Sequence, residues 1–219
     1  IAFHAAALKH VVSSERSPSQ VIRTNILGVE NIILSAINNN LEKVIFTSTD
    51  KAVNPTNVMG TSKLMGERLI TAANYSSSRT VFSSTRFGNV LGSSGSVIPL
   101  FHNQIKNGGP ITITSNEMTR FIMSLDEAVE LIIGSAEKAK GGEVLIAKMP
   151  SIKILDLATA MINLLAPKYG FKKNDIKIDV IGIKPGEKLY EELTTEEEVG
   201  RAIELEKYYS VLPALIGIY

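Results

Sequence analysis

The apolar positions of this chain change their spacing several times, and each change marks an element. Ile1, Ala2 and Phe3 open it as a continuous apolar run. Such a run reads as a short buried strand, here over residues 1–4. Val21, Ile22, Ile26, Val29, Ile32, Ile33 and Ala36 then recur every three or four positions. That spacing lines one face of a helix and predicts one over 19–39, stopped by Asn38, Asn39 and Asn40. "KVIFTST" (43–49) and "TVFSSTRF" (80–87) are runs of β-branched and aromatic residues without strict alternation, the pattern of strands buried on both faces. A loop with Asn54-Pro55 and a helix over 61–73 lie between them. "GNVLGSSGS" (88–96) is a Gly/Ser loop, and "VIPLFHNQIKNG" (97–108) is a short amphipathic helix ended by Gly108, Gly109 and Pro110. Beyond residue 110 the rhythm loosens. Short strands are predicted near 111–114, 119–122, 143–147 and 176–181, and helices near 125–139, 154–166 and 187–198.

Alternation of strand and helix predicts an α/β fold with right-handed crossovers. Residues 1–110 read as the C-terminal half of a Rossmann-type doubly wound parallel sheet, and 111–219 as a smaller mixed α/β substrate lobe, some of whose elements return to the sheet. Ligands of open parallel sheets bind outside the carboxyl ends of the strands. The loops 4–9, 48–63 and 88–96 each follow a strand, so all three are expected on one edge. The middle loop, "STDKAVNPTNVMGTSK", is dense in proton-handling groups: Thr49, Asp50, Lys51 and Lys63. Met59 stands where a dehydrogenase-type site would carry Tyr, and a thioether has no titratable proton.

Composition narrows the picture. There are 23 Lys and Arg against 22 Asp and Glu, so no basic excess exists to neutralise a nucleic-acid backbone. The chain has no Cys; disulfides, thiolate catalysis and zinc–thiolate sites are excluded, which suits a reducing, cytoplasmic setting. No apolar run reaches the roughly 18 residues of a membrane span. Asn74-Tyr75-Ser76 matches a glycosylation acceptor and is read as coincidence. A start inside a strand, without Met, suggests the C-terminal part of a longer protein.

Several stretches occur in an order that carries a resemblance: "FHAAALKHV", "TNILGVEN", "STDKAVNPTNVMGTSK", "TRFGNVLGSSGSVIPLF", "MTRFIMSLDEAVELI" and "IGIKPGEKLYEE". Together they resemble the UDP-N-acetylglucosamine 4,6-dehydratases of polysaccharide biosynthesis, extended short-chain dehydrogenases/reductases, in the branch with Met for Tyr. The resemblance implies an NADP (or NAD) cofactor. That family opens on a Gly-rich turn that cradles the cofactor pyrophosphate, and no such turn opens this chain. The expectation is that tight cofactor binding and activity need a missing N-terminal half, and that any membrane association depends on it too.

The resemblance also implies roles. Lys63 would bond the nicotinamide ribose; His4, Ala5, Ala6, Asn25, Phe87 and Gly88 would complete the cofactor side. Thr49 would bond the sugar O4, and Asp50 and Lys51 would serve as acid for the C6 hydroxyl and base at C5, with Met59 in place of the phenol. Arg86, Asn89, Ser96, Val97, Pro99, Leu100, Arg120, Lys184 and Glu187 would hold the UDP-sugar. The reaction implied is 4,6-dehydration of a UDP-N-acetylhexosamine, with or without inversion at C5, by a lyase that leaves its cofactor unchanged. A UDP-sugar 4-epimerase and a non-catalytic nucleotide-sugar-binding module are the alternatives. Helices 19–39 and 61–73 resemble the family's dimer-forming pair, so a homo-oligomer is expected.

Overall fold

The computed structural model describes residues 1–214. In chain order its elements are β1 (Ala2–His4), α1 (Val11–Arg16), α2 (Pro18–Val21), α3 (Gly28–Asn38), β2 (Lys43–Thr49), α4 (Val58–Ser76), β3 (Val81–Phe87), β4 (Asn89–Val90), α5 (Val97–Lys106), β5 (Ile111–Ile113), β6 (Thr119–Met123), α6 (Leu125–Lys138), β7 (Val144–Ala147), β8 (Ser151–Lys153), α7 (Ile154–Leu165), β9 (Ile178–Val180), α8 (Glu196–Val199), β10 (Ala202–Glu204) and β11 (Tyr208–Val211). A π-helical segment, Ile22–Leu27, joins α2 to α3.

These elements form two compact units. Among the described residues, the first comprises Ile1–Phe87, Val129–Lys148 and 192–214; the second comprises Gly88–Ala128 and Met149–Glu191. The second unit therefore begins at Gly88, ahead of the boundary expected after residue 110. Its core is the reason: Phe101 and Ile105 of α5 are buried in one cluster with Ile111, Ile113, Ala158 and Ile162, so α5 cannot leave without opening that core. Residues 215–219 of the expected second lobe lie outside the described residues.

The first unit is built on a sheet of order β1-β2-β3-β7-β11-β10. β1 to β7 run parallel, and β11 and β10 complete the sheet antiparallel. Val44, Phe46 and Phe82 face Val29, Ile33, Ile70 and Ala73 of α3 and α4. Ile45, of opposite parity on β2, packs against Ala136 and Ala139 on the other face. Both faces are therefore covered, which explains why β2 and β3 read as apolar runs without a polar face. A Cβ on Gly66 would lie 2.6 Å from Cζ of Phe46, so glycine is required where α4 lies on that ring.

Two parts of the sequence reading need correction. The helix expected over 187–198 is reduced to α8, Glu196–Val199. Upstream, the carbonyl of Leu189 accepts from Thr119 N–H at 3.1 Å and that of Lys188 accepts from Arg120 at 2.9 Å, so this stretch spends its acceptors on β6 and cannot wind. The helix expected over 61–73 is longer, Val58–Ser76, because Asn57 Oδ1 caps it by accepting from Gly60 N–H at 2.8 Å. The β10–β11 hairpin had no sequence signal: "AIELEKYYSV" mixes charges into an edge pair.

The second unit carries the β4-β6-β8 sheet and the β5–β9 pair, with α5 and α7 over the shared core. Phe101 is 1% exposed. Replacing it with Ala is expected to lower the unfolding free energy by about 3–5 kcal/mol, read from urea-denaturation midpoints at unchanged slope.

Candidate active site

β2 ends at Thr49, whose extended backbone starts a single 3-10 turn, Asp50–Ala52. The Thr49 hydroxyl donates to Asp50 Oδ1 at 2.9 Å. The Lys51 ammonium donates to the same oxygen, also at 2.9 Å. Asp50 is fully buried, and its second oxygen, Oδ2, is buried with no hydrogen-bond partner from the chain. A carboxylate in this state has one oxygen fixed and the other uncommitted, which is costly unless a ligand or water supplies a donor. A Cβ on Gly60 would lie 2.2 Å from the Lys51 carbonyl oxygen. The first turn of α4, which carries Met59, thus rests directly on the Asp50–Lys51 turn, and only glycine permits the approach.

Lys63 sits one helical turn beyond Met59. Both are buried. The Lys63 ammonium donates to the Thr47 carbonyl at 2.8 Å and lies 4.6 Å from the centre of the Phe46 ring. Burial lowers its pKa to about 8, with Glu67 pulling the other way. His4 ends β1 and stacks on Phe46, the two rings 5.8 Å apart. Burial, then the Lys63 charge, push His4 below the usual imidazole range, so the ring is neutral at pH 7. Its Nε2 is buried without a partner.

Asn25 lies in the π-helical segment. Its Oδ1 accepts from Leu8 N–H at 2.8 Å, and its Nδ2 donates to Leu8 O at 3.0 Å and to Ser62 Oγ at 2.9 Å. Ser62 Oγ in turn donates to Met59 O at 2.7 Å. Asn25 therefore ties the loop after β1 to the start of α4, and its side chain is spent on protein groups. Ala5 and Ala6, in that loop, are exposed.

The second unit holds a pocket lined by Asn89, Ser96, Val97, Leu100, Arg120, Lys184 and Glu187. Ser96 precedes α5 without capping it, and its buried Oγ has no hydrogen-bond partner from the chain, so the helix start beside the pocket is left uncapped by a side chain. Arg120 is buried; it donates to Thr119 O at 2.7 Å and to Lys188 O at 2.9 Å, and its Nη2 lies 3.6 Å from Glu187 Oε1. Lys184 N–H donates to Glu187 Oε2 at 3.2 Å, which folds the Lys184–Glu187 turn over the arginine. An anion entering here meets a guanidinium already aligned by carbonyls.

Sequence and structure part company at a few positions. Arg86, expected to touch the UDP-sugar, is fully buried; all its donors go to Glu67, Glu198 and the Leu193 carbonyl, leaving none for substrate. A Cβ on Gly88 would lie 2.7 Å from Cβ of Phe121, so packing on β6 accounts for that glycine without a ligand. Pro99 is exposed and is not among the pocket-lining residues; Phe87 is half-buried at the end of β3. Sequence reasoning missed Glu67 and Glu198, and Thr112, Thr114 and Met118 of the pocket wall. The spacing of Lys63 and Glu67, four apart on one helix face, was the available signal for the first.

A buried lysine and a Thr-Asp-Lys turn thus meet at the carboxyl end of a parallel α/β sheet, the edge at which such folds bind their ligands. The chain belongs to the polysaccharide biosynthesis protein family, which it matches over residues 1–213. It is 54% identical to an uncharacterized membrane protein of Methanocaldococcus jannaschii, over 97% of this chain and 65% of that one. It is 49% identical to the capsular polysaccharide biosynthesis protein CapD of Staphylococcus aureus, over 94% of this chain and 34% of that one. It is 46% identical to a UDP-glucose 4-epimerase of Rickettsia rickettsii, over 95% of this chain and 60% of that one. Among solved structures, Pen from Bacillus thuringiensis superposes with a TM-score of 0.93 at 50% identity, covering 98% of this chain and 65% of that one. The chain thus spans less than two thirds of the length of these relatives. Among the described residues, no helix is long and apolar enough to cross a membrane.

The state of Lys63 is open to measurement. Its pKa falls from 10.5 to about 8 in the folded chain, so between those values the unfolded chain holds a proton that the folded chain has shed. Stability of the parent protein therefore rises with pH across that window. The Lys63→Met variant lacks this term. It is expected to be more stable than the parent below pH 8, by about 1–3 kcal/mol, with the advantage shrinking as pH approaches 10.5, read by denaturant titrations at several pH values.

Proposed function

We propose that this chain is the catalytic and substrate-binding part of a UDP-N-acetylhexosamine 4,6-dehydratase, a lyase of surface polysaccharide biosynthesis. The observation that carries this reading is the Thr49–Asp50–Lys51 turn: a hydroxyl and a lysine nitrogen that both donate to one oxygen of a buried carboxylate whose other oxygen is uncommitted. Removing water from C5 and C6 of a sugar needs both a base and an acid, and an epimerase acting at C4 alone has no use for the second group.

The residues fit a nicotinamide cofactor on their side of the reaction. Lys63 would hold the ribose hydroxyls, His4, Ala5, Ala6, Phe87 and Gly88 would lie along the dinucleotide, and Asn25 would support them from behind. Bound NADP, or NAD, supplies the acceptor and later the donor of a hydride at the sugar. The rest is done by this chain. Thr49 would accept from the C4 hydroxyl while donating to Asp50, which gives the C4 proton a path to the carboxylate that does not need a Tyr at position 59. Lys51, acting from its neutral amine form, would take the C5 proton from the 4-ketone and become the ammonium. Asp50 would pass the proton taken from the C4 hydroxyl to the departing C6 hydroxyl, and Lys51 would give its proton back to C5, so that both groups return to their starting states. Return of the C5 proton to the opposite face would invert that carbon.

Asn89, Ser96, Val97, Leu100, Arg120, Lys184 and Glu187 would hold the UDP part: Arg120 the diphosphate, Glu187 the ribose hydroxyls. A homo-oligomer through α3 and α4 fits their exposed Leu34, Ile37 and Met65. A second reading, UDP-sugar 4-epimerization, is favoured by the name of the Rickettsia relatives. The full-length protein with UDP-N-acetylglucosamine and NADP is expected to give a product lighter by one water in the mass spectrum; an isomer of unchanged mass would favour the epimerase. Asp50→Asn is expected to slow water loss by about 100-fold or more.

A further inference from the structure

Lys63 and Glu67 are four residues apart on α4 and both are buried. A lysine and a glutamate at that spacing face each other on a helix and ordinarily pair. Here they do not serve each other. The Lys63 ammonium donates to Thr47 O at 2.8 Å. Both oxygens of Glu67 are taken by Arg86, from Nε at 3.0 Å and from Nη2 at 2.7 Å. The remaining Arg86 donors go to Glu198, at 2.8 and 2.9 Å, and to Leu193 O at 2.7 Å. Glu198 is itself fixed by a capping box with Thr195, accepting from Thr195 N–H at 3.0 Å.

We propose that Arg86 is a positioning residue that keeps the Glu67 carboxylate off Lys63, so that the Lys63 ammonium stays on the Thr47 carbonyl and free to share its other protons with a ligand hydroxyl. Arg86 can do this because a guanidinium presents a planar fork that matches a carboxylate, whereas an ammonium is a point charge. Given both cations within reach, the carboxylate takes the fork. Glu198 gives the arginine a second carboxylate, so neither buried charge is left uncompensated. Remove Arg86, and Glu67 becomes a buried, unpaired anion with the Lys63 charge one helical turn away, already felt between them. The pair would then close and Lys63 would leave Thr47. Other charged groups around α4 are engaged or distant in role: the His4 ring lies against the Phe46 face, Asp50 and Lys51 hold each other, and Glu15 of α1 accepts from Val58 N–H at 2.6 Å.

The inference concerns this chain alone; only its consequence for a ligand rests on the role proposed for Lys63. It is tested by titrating the Lys63 side chain by NMR in protein carrying 13C-labelled lysine, with Lys63→Met to assign the resonance. In Arg86→Met, Lys63 is expected to titrate about one pH unit or more above the parent value. In the double variant Arg86→Met/Glu67→Gln, which removes the captor as well, it is expected to return to the parent value or below. Should Arg86→Met fail to fold, Arg86→Lys keeps the charge but loses the fork, and a smaller upward shift is expected. Unchanged titration in a folded Arg86 variant overturns the proposal, as does a raised value that persists in the double variant. Neither outcome depends on turnover of a UDP-sugar, so failure here and failure of the functional reading are separate results.

Discussion

The carboxyl end of β3, the middle of α4 and the approach to α8 are held together by one buried guanidinium. Arg86 sits at the carboxyl end of β3, fully buried, and spends each of its N–H groups on Glu67, Glu198 and Leu193 O. Burial opposes its charge, and the two carboxylates more than reverse that, holding it above the usual guanidinium range. A buried ion cluster is tolerable only when its members satisfy one another completely. This one does, and in doing so it fixes three pieces of chain: the strand end, the middle of α4 and the segment leading into α8. Two residues C-terminal to Arg86 the chain passes into the second unit.

The chemistry is set upon that frame by close contacts of backbone more than by long side chains. Gly60 lets α4 rest on the carbonyl of Lys51, and Gly66 lets it rest on Phe46. Phe46 then carries a cation on one part of its face and a neutral imidazole stacked nearby. In this setting Met59 is unremarkable as a packing residue: a thioether fills a buried gap well and asks for no hydrogen bond. The position gives up a titratable group; on the function proposed above, the neighbouring turn of Thr49, Asp50 and Lys51 would carry the proton instead.

Much of this was legible in the sequence, for physical reasons. β2 and β3 declared themselves because strands covered on both faces must be apolar throughout, and α3 because its apolar positions repeat. The Thr49–Asp50–Lys51 turn was legible because charges rarely follow a buried strand without cause. Arg86 was misread because an arginine after such a strand looks the same whether it faces a phosphate or two carboxylates; only the fold brings Glu198 to it, across more than a hundred residues. The reduced helix before α8 was misread because its periodicity is genuine, and pairing with β6 overrides it. The β10–β11 hairpin left no trace, since edge strands with charged side chains resemble loops.

Asn25 has a consequence of another kind. Because the same side chain grips Leu8 through both its backbone groups and holds Ser62, which holds the Met59 carbonyl, the loop after β1 and the first turn of α4 form one mechanical piece. Were one molecule to shift the loop and another the first turn of α4, both would act through these same hydrogen bonds. Thermodynamic reciprocity then applies: whatever one occupant does to the fit of the other, the other does in equal measure in return. Order of arrival would leave the final affinity of the pair unchanged.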